Sequence, residues 1–269
     1  MEGLWLAALS GLIGGGTLLV GAAVAWFVEI PQRIVAGIMA VGAGVLISTL
    51  AFELVEEAAA DGGLVPTTVG FLGGAVLYIV ADQLISRRSK QKPGGGGESG
   101  VGAVDAPGVQ DVPASIVARR AGTRAIGGAG LVIAVGALID GIPESIVMGL
   151  SVLQGGISIP IVAAIAISNF PEGLGSTAAL KRGGTGGRYV ALLWSGIALI
   201  TVIASVLGYV AFQSASPSLI ALITTIAAGG LLAMVCNTMI PEAFDEQHAL
   251  TGLWATIGFL AAFLLHELT

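Results

Sequence analysis

The chain is expected to fold as an all-α membrane protein with eight transmembrane helices, and three observations lead there. Of its 269 residues 55% are hydrophobic and only 10% are charged, whereas a soluble domain carries about 25% charged residues. Uncharged runs of about 20 residues, the length that crosses the hydrocarbon of a bilayer, recur from end to end. When eight such runs are drawn as spans, every Lys and Arg falls in a connection on the same side, the bias expected of cytoplasmic loops.

The spans follow in order from these runs and from the polar residues that bound them. The first lies between Glu2 and Glu29, at about 3–28; the second is built on the uncharged run between Arg33 and Glu53 and is placed at about 34–58. The third, about 64–86, is built on the uncharged run between Asp61 and Asp82. A polar stretch, 87–123, contains Lys-Pro-Gly-Gly-Gly-Gly-Glu-Ser-Gly and reads as a flexible cytoplasmic loop. The fourth and fifth spans occupy about 124–153 and 157–181. The uncharged run from Tyr189 to Pro241 is too long for one crossing; Gln213 to Ser218, with Pro217, divides it into spans at about 189–213 and 217–243. The last covers about 248–268. Placing Arg33 in the cytoplasm puts the other ten basic residues there too, among them Arg87, Lys92, Arg124, Lys181 and Arg188, so both termini face outward. The first span has no basic residue before it, which argues against a cleaved leader. These features place the chain in the cell membrane as a multi-pass protein, with the bilayer as its obligatory partner.

Composition also excludes function classes. The net charge of −6 and the confinement of basic residues to short connections argue against nucleic acid. A single cysteine, Cys236, allows neither an internal disulfide nor a cysteine-rich zinc site, and it is expected only to pack. Gly14-Gly15-Gly16 lacks the Lys-Ser/Thr of a phosphate loop and sits inside a span, where close helix packing accounts for it. No His-Glu-x-x-His or other catalytic spacing occurs, so an enzyme is not expected and neither catalytic nor cofactor residues are assigned.

Two pairs of segments resemble one another. Asp140-Gly-Ile-Pro-Glu144 and Ser168-Asn-Phe-Pro-Glu172 share a Pro-Glu step on helices of opposite direction. Val45 to Glu56 on the second span lies over Leu231 to Glu242 on the seventh, again in opposite directions. Both matches fit a 3+2+3 inverted repeat, a plan in which transporters place their site near the midplane on broken helices.

Asp140, Glu144 and Glu172 fall well inside apolar helices, where a charge costs at least about 2.5 kcal/mol. With every Lys and Arg outside the membrane, these acids are protonated, face a water-filled cavity or bind a cation. Asp140 and Glu144 are four residues apart and share a helix face, as do Ser168 and Glu172; Asn169 stands three before Glu172. Pro143 and Pro171 remove the helical donors to the carbonyls of Ile139 and Ile167, and freed carbonyls at membrane depth can line a cavity and coordinate ions. Asp140, Glu144, Ser168, Asn169 and Glu172 together make an oxygen shell for a metal cation. Glu53, Glu56 and Glu57 toward the outer end of the second span read as a solvated helix end, with an ion-entry funnel as the alternative. Glu242, Asp245, Glu246 and His248 at the inner end of the seventh read as a wet terminus or a place that catches a departing ion; His266 and Glu267 near the C-terminus carry almost no signal.

With these motifs in place the chain resembles the ZIP (zinc/iron-regulated-transporter-like) metal transporters, prokaryotic branch. The resemblance covers nearly the whole chain and rests most on Asn169-Phe-Pro-Glu-Gly173, Ala43-Gly-Val-Leu and Ile240-Pro-Glu242. It implies a ZIP-like bundle, a transport site between the fourth and fifth helices, and metal movement toward the cytoplasm. The site is divergent. Where the family reads His-Asn-x-Pro-Glu-Gly, this chain has Asp140-Gly-Ile-Pro-Glu-Ser145; Ser168 and Asn169 replace a His or Gln and its acidic or amide neighbour; and Ser195 to Ile200 lacks the Glu-Pro that supports a second metal. An all-oxygen shell suits harder ions such as Mn²⁺, Mg²⁺ or Fe²⁺ better than zinc, although carboxylates also take Zn²⁺.

The expectation is therefore a divalent cation transporter of the zinc, iron and manganese class, with the ion as cargo, no resident cofactor, and a homodimer among its admissible forms. Two other classes fit the same acids: a proton-coupled carrier of another solute, and a ZIP-derived membrane protein that no longer transports.

Overall fold

A computed structural model describes residues 2–90 and 129–268, with side chains described over 2–84 and 133–268. Every regular element among them is helical. Eight helices are long and apolar enough to cross a membrane. They are α1 (Glu2–Phe27), α2 (Gln32–Gly62), α3 (Leu64–Lys90), α4 (Ala129–Gln154), α5 (Ile159–Arg182), α6 (Gly187–Ala211), α7 (Pro217–Gln247) and α8 (Leu250–Leu268). Their outward faces carry large apolar side chains, among them Trp5, Leu72, Leu192, Leu207 and Leu260. Such faces suit hydrocarbon rather than water.

All eight expected spans are present, and most boundaries shift by a few residues. α2, α3 and α7 each run about four residues beyond expectation, because helical hydrogen bonding continues past the apolar stretch. Most of the loop expected at 87–123 lies outside the described residues, as does the expected start of the fourth span at 124. The terminators follow local chemistry. Gly63 adopts φ +93° between α2 and α3, a conformation glycine enters without a Cβ clash. Ser158 and Ser216 cap α5 and α7 by accepting from the amides of Ile161 and Leu219, and each is followed by an early proline.

The expectation of proline-broken helices needs correction. α4 passes through Pro143 and α5 through Pro171 without interruption. A proline removes one hydrogen bond, and helical hydrogen bonding resumes on either side of each. The irregular turns lie elsewhere. α2 is π-helical from Leu50 to Glu56, and α7 from Val235 to Met239, a local insertion that often marks functional positions.

The helices assort into two bundles. α1 packs along α5 and α6, with α4 against α6; α3 packs along α7, and α2 along α8 and α7. Four interfaces share one device, a reciprocal pair of glycines lying against the opposite backbone. They are Gly21 on Phe170 with Gly173 on Leu18, Gly149 on Ser205 with Gly208 on Ile146, Gly44 on Ala255 with Gly258 on Val41, and Gly74 on Ile226 with Gly229 on Phe71. At each of the eight a Cβ would collide with a carbonyl oxygen. Small residues permit such approach where lipid supplies no hydrophobic drive. Hydroxyls add polar links between α6 and its neighbours. Ser205 Oγ donates to the Ala7 carbonyl at 2.7 Å, and Trp194 Nε1 donates to Thr177 Oγ1 at 2.7 Å.

Candidate functional site

The bundles meet where α2 lies against α5 and α4 against α7. A polar cavity of about 30 Å³ opens at that seam. Asp140 from α4, Ser168, Glu172 and Ser176 from α5, and Thr238 and Glu242 from α7 supply its polar lining. Met39, Ile133, Met234 and Met239 supply its apolar walls. One water needs about 10–15 Å³ measured in this way, so the space suits one or two small guests.

Three of the five expected ligands, Asp140, Ser168 and Glu172, therefore share one cavity. Four-residue spacing brings Ser168, Glu172 and Ser176 onto one strip of α5. The Ser168 hydroxyl donates to the Ile165 carbonyl at 3.0 Å, which leaves its oxygen able to accept or ligate.

Glu144 and Asn169 stand behind that cavity rather than in its lining. Glu144 is 1% exposed, and its Oε2 has no hydrogen-bond partner. The Asn169 amide hydrogen-bonds the Glu144 carboxylate and also donates to the Gly14 carbonyl on α1 at 3.0 Å. Asn169 thus acts as a strut joining α1, α4 and α5. A buried carboxylate with one orphaned oxygen costs free energy in an apolar interior.

The five expected residues accordingly form two layers and not one closed shell. Among the described residues, no three His, Cys, Asp or Glu side chains stand close enough together to hold one ion as they are placed.

Glu242 was read from sequence as part of a wet helix end, and the structure sets it in the cavity lining. The signal existed. Pro241-Glu242 is a third Pro-Glu step beside Pro143-Glu144 and Pro171-Glu172. Thr238 joins it from the π-helical turn of α7, whose extra residue no sequence period announces. Of the neighbouring residues, His248 ends α7 in an exposed left-handed turn at φ +50°. Cys236, expected to pack, is exposed.

Glu53 was likewise assigned to a solvated end. It is 8% exposed within the π-helical turn of α2. Its Oε1 lies 2.6 Å from His266 Nδ1 on α8, and its Oε2 accepts from Ser158 Oγ at 3.1 Å. Phe52 stacks on the His266 ring at 5.7 Å between centroids. Beside it a recess of about 250 Å³ is lined by Glu53, Glu57, Asp61 and Gln154. Compared with known proteins, the chain matches no family model and no curated protein.

Proposed function

We propose that this protein carries a divalent metal cation of the zinc, iron and manganese class across the cell membrane toward the cytoplasm, as a divergent member of the ZIP family. The observation that carries the reading is the seam cavity. Carboxylates from three helices, Asp140, Glu172 and Glu242, line one small space together with the hydroxyls of Ser168, Ser176 and Thr238. Acids at that depth are costly unless a cation or proton accompanies them. The carboxylates and hydroxyls of that lining are oxygen donors, which favour hard or borderline divalent ions.

Transport would proceed by alternating access. The ion sheds water as it meets Asp140 and passes to Glu172. Glu144, in the second layer, holds Asn169 behind them. Because the carboxylates are not gathered into one cage, binding must draw them inward, and protonation would release the cargo. A 3+2+3 inverted repeat belongs to this proposal. Its support is the matched pairing of the helices: α1 with α5 answers α6 with α4, and α2 with α8 answers α7 with α3. The reciprocal glycines and the two π-helical turns fall in the same correspondence. Outward termini and a cytoplasmic 87–123 loop rest on the placement of the basic residues.

The test is uptake of radioactive Mn²⁺, Zn²⁺ and Fe²⁺ into proteoliposomes or expressing cells. Wild type should accumulate at least one of them, and Asp140→Ala, Glu144→Ala and Glu172→Ala should each lose most of that uptake. Equal uptake by all four proteins would remove the reading. Solute accumulation driven by a pH gradient without metal would favour the proton-coupled carrier instead.

A further inference from the structure

A second recess, of about 440 Å³, lies between α3, α4 and α7 on the flank of the seam. Leu77, Leu138, Ile146 and Ile226 are among its apolar walls. Its volume is that of a site for a drug-sized molecule, where the polar cavity admits only one or two waters. Leu77 is 61% exposed and Ile142 38%, so the mouth opens sideways at the depth of the spans. An occupant reaches it through the hydrocarbon.

Only two lining residues carry polar side chains, Tyr78 and Asp140. The Tyr78 hydroxyl lies 3.3 Å from Thr238 Oγ1, and Thr238 belongs to the polar cavity. Tyr78 is thus part of the wall between the two spaces. Asp140 borders both of them. An apolar recess with one carboxylate and one hydroxyl in its wall selects by chemistry. Inorganic ions and sugars gain nothing from the apolar walls, and an anionic headgroup would be repelled by the acid. An apolar body with a cationic head satisfies both parts, because the apolar area leaves its solvent and the charge meets its opposite.

We propose that this recess is an intramembrane binding site for an amphiphilic ammonium compound, with its hydrocarbon body between α3, α4 and α7 and its head on Asp140. Occupancy would engage a carboxylate that the seam cavity also uses, so the compound would compete with the cation. That competition rests on the transport reading; binding to the recess does not.

The experiment uses the full chain in proteoliposomes with two photoreactive probes, a diazirine-bearing dodecylamine and the matched dodecanol, and mass spectrometry to map adducts. The amine should label peptides spanning residues 77–81 and 142–146 about tenfold more than the alcohol, the factor that one charge-assisted hydrogen bond supplies. Asp140→Asn should bring the amine down to the level of the alcohol. Ile142→Trp and Gly230→Leu, which fill the recess, should reduce amine labelling even if Asp140→Asn fails to fold. Equal labelling by amine and alcohol in the wild type, as acyl chains merely wetting the flank would give, overturns the proposal. So does amine labelling that survives both filling variants. Excess Mn²⁺ should suppress the amine adducts; unchanged adducts would overturn the shared carboxylate. Absent labelling with intact uptake sinks the recess alone, and intact labelling with absent uptake sinks the transport reading alone.

Discussion

His266 Nδ1 and Glu53 Oε1 lie 2.6 Å apart, joining the last turns of α8 to the π-helical turn of α2. Ser158 holds the other oxygen of the same carboxylate. One acid therefore fastens three segments far apart in sequence. Removing one partner of a buried, hydrogen-bonded carboxylate costs about 1–3 kcal/mol. His266→Ala and Ser158→Ala should each lower the thermal unfolding temperature in detergent, and Glu53→Ala should lower it most. Unfolding temperatures equal to wild type in all three would show that the pair is incidental.

Glu144 should trade stability for ion response. Glu144→Gln replaces a buried carboxyl, one oxygen of which has no partner, with an amide that cannot ionise and can donate, close enough to Glu172 and Asp140 to interact with them. The variant should unfold at a higher temperature than wild type without metal, and should gain less when Mn²⁺ is added. A lower metal-free unfolding temperature would contradict this.

Asn169 is a strut by position, so its loss should be structural before it is functional. Asn169→Ala takes the hydrogen bond from Glu144 and releases the Gly14 carbonyl. A destabilisation of about 1–3 kcal/mol is expected from the buried Glu144 carboxylate losing its partner, while the Gly14 carbonyl keeps the Thr17 hydroxyl; it is read as a lower unfolding temperature both with and without metal. A change seen only when metal is present would make Asn169 a ligand and not a strut.

The glycine pairs give the plainest mechanical prediction. Gly44→Leu and Gly229→Leu drive a side chain into a carbonyl on the opposite helix. Overpacking of this kind costs about 1–3 kcal/mol and more where backbone must move. Both variants should lose the monodisperse peak in size-exclusion chromatography. Gly16→Ala adds a methyl where nothing lies within 4 Å and should elute as wild type does.

The spans were readable because crossing hydrocarbon needs an apolar run of set length, and that requirement is written residue by residue. Asp140, Ser168 and Glu172 were readable for the same reason, as polar groups in apolar runs. Glu53, Glu242 and Thr238 were not read as members of buried sites. Their positions depend on π-helical turns that re-aim a helix face by one residue, and on pairings such as Glu53 with His266 that no local pattern encodes. Whether α4 and α5 bend at their prolines also escaped the sequence, since a lost hydrogen bond becomes a break only if the surrounding packing permits it.

The interlocked glycines have a further consequence. Reciprocal glycine pairs bring backbone against backbone at four interfaces, each inside a bundle: two join α1 to α5 and α4 to α6, and two join α2 to α8 and α3 to α7. Between α2 and α5 the nearest equivalent is looser, for a methyl on Gly42 would stop 3.3 Å from Ser168. Stiffness is thus concentrated in two blocks, and whatever give the molecule possesses is left to the joint where its acids reside.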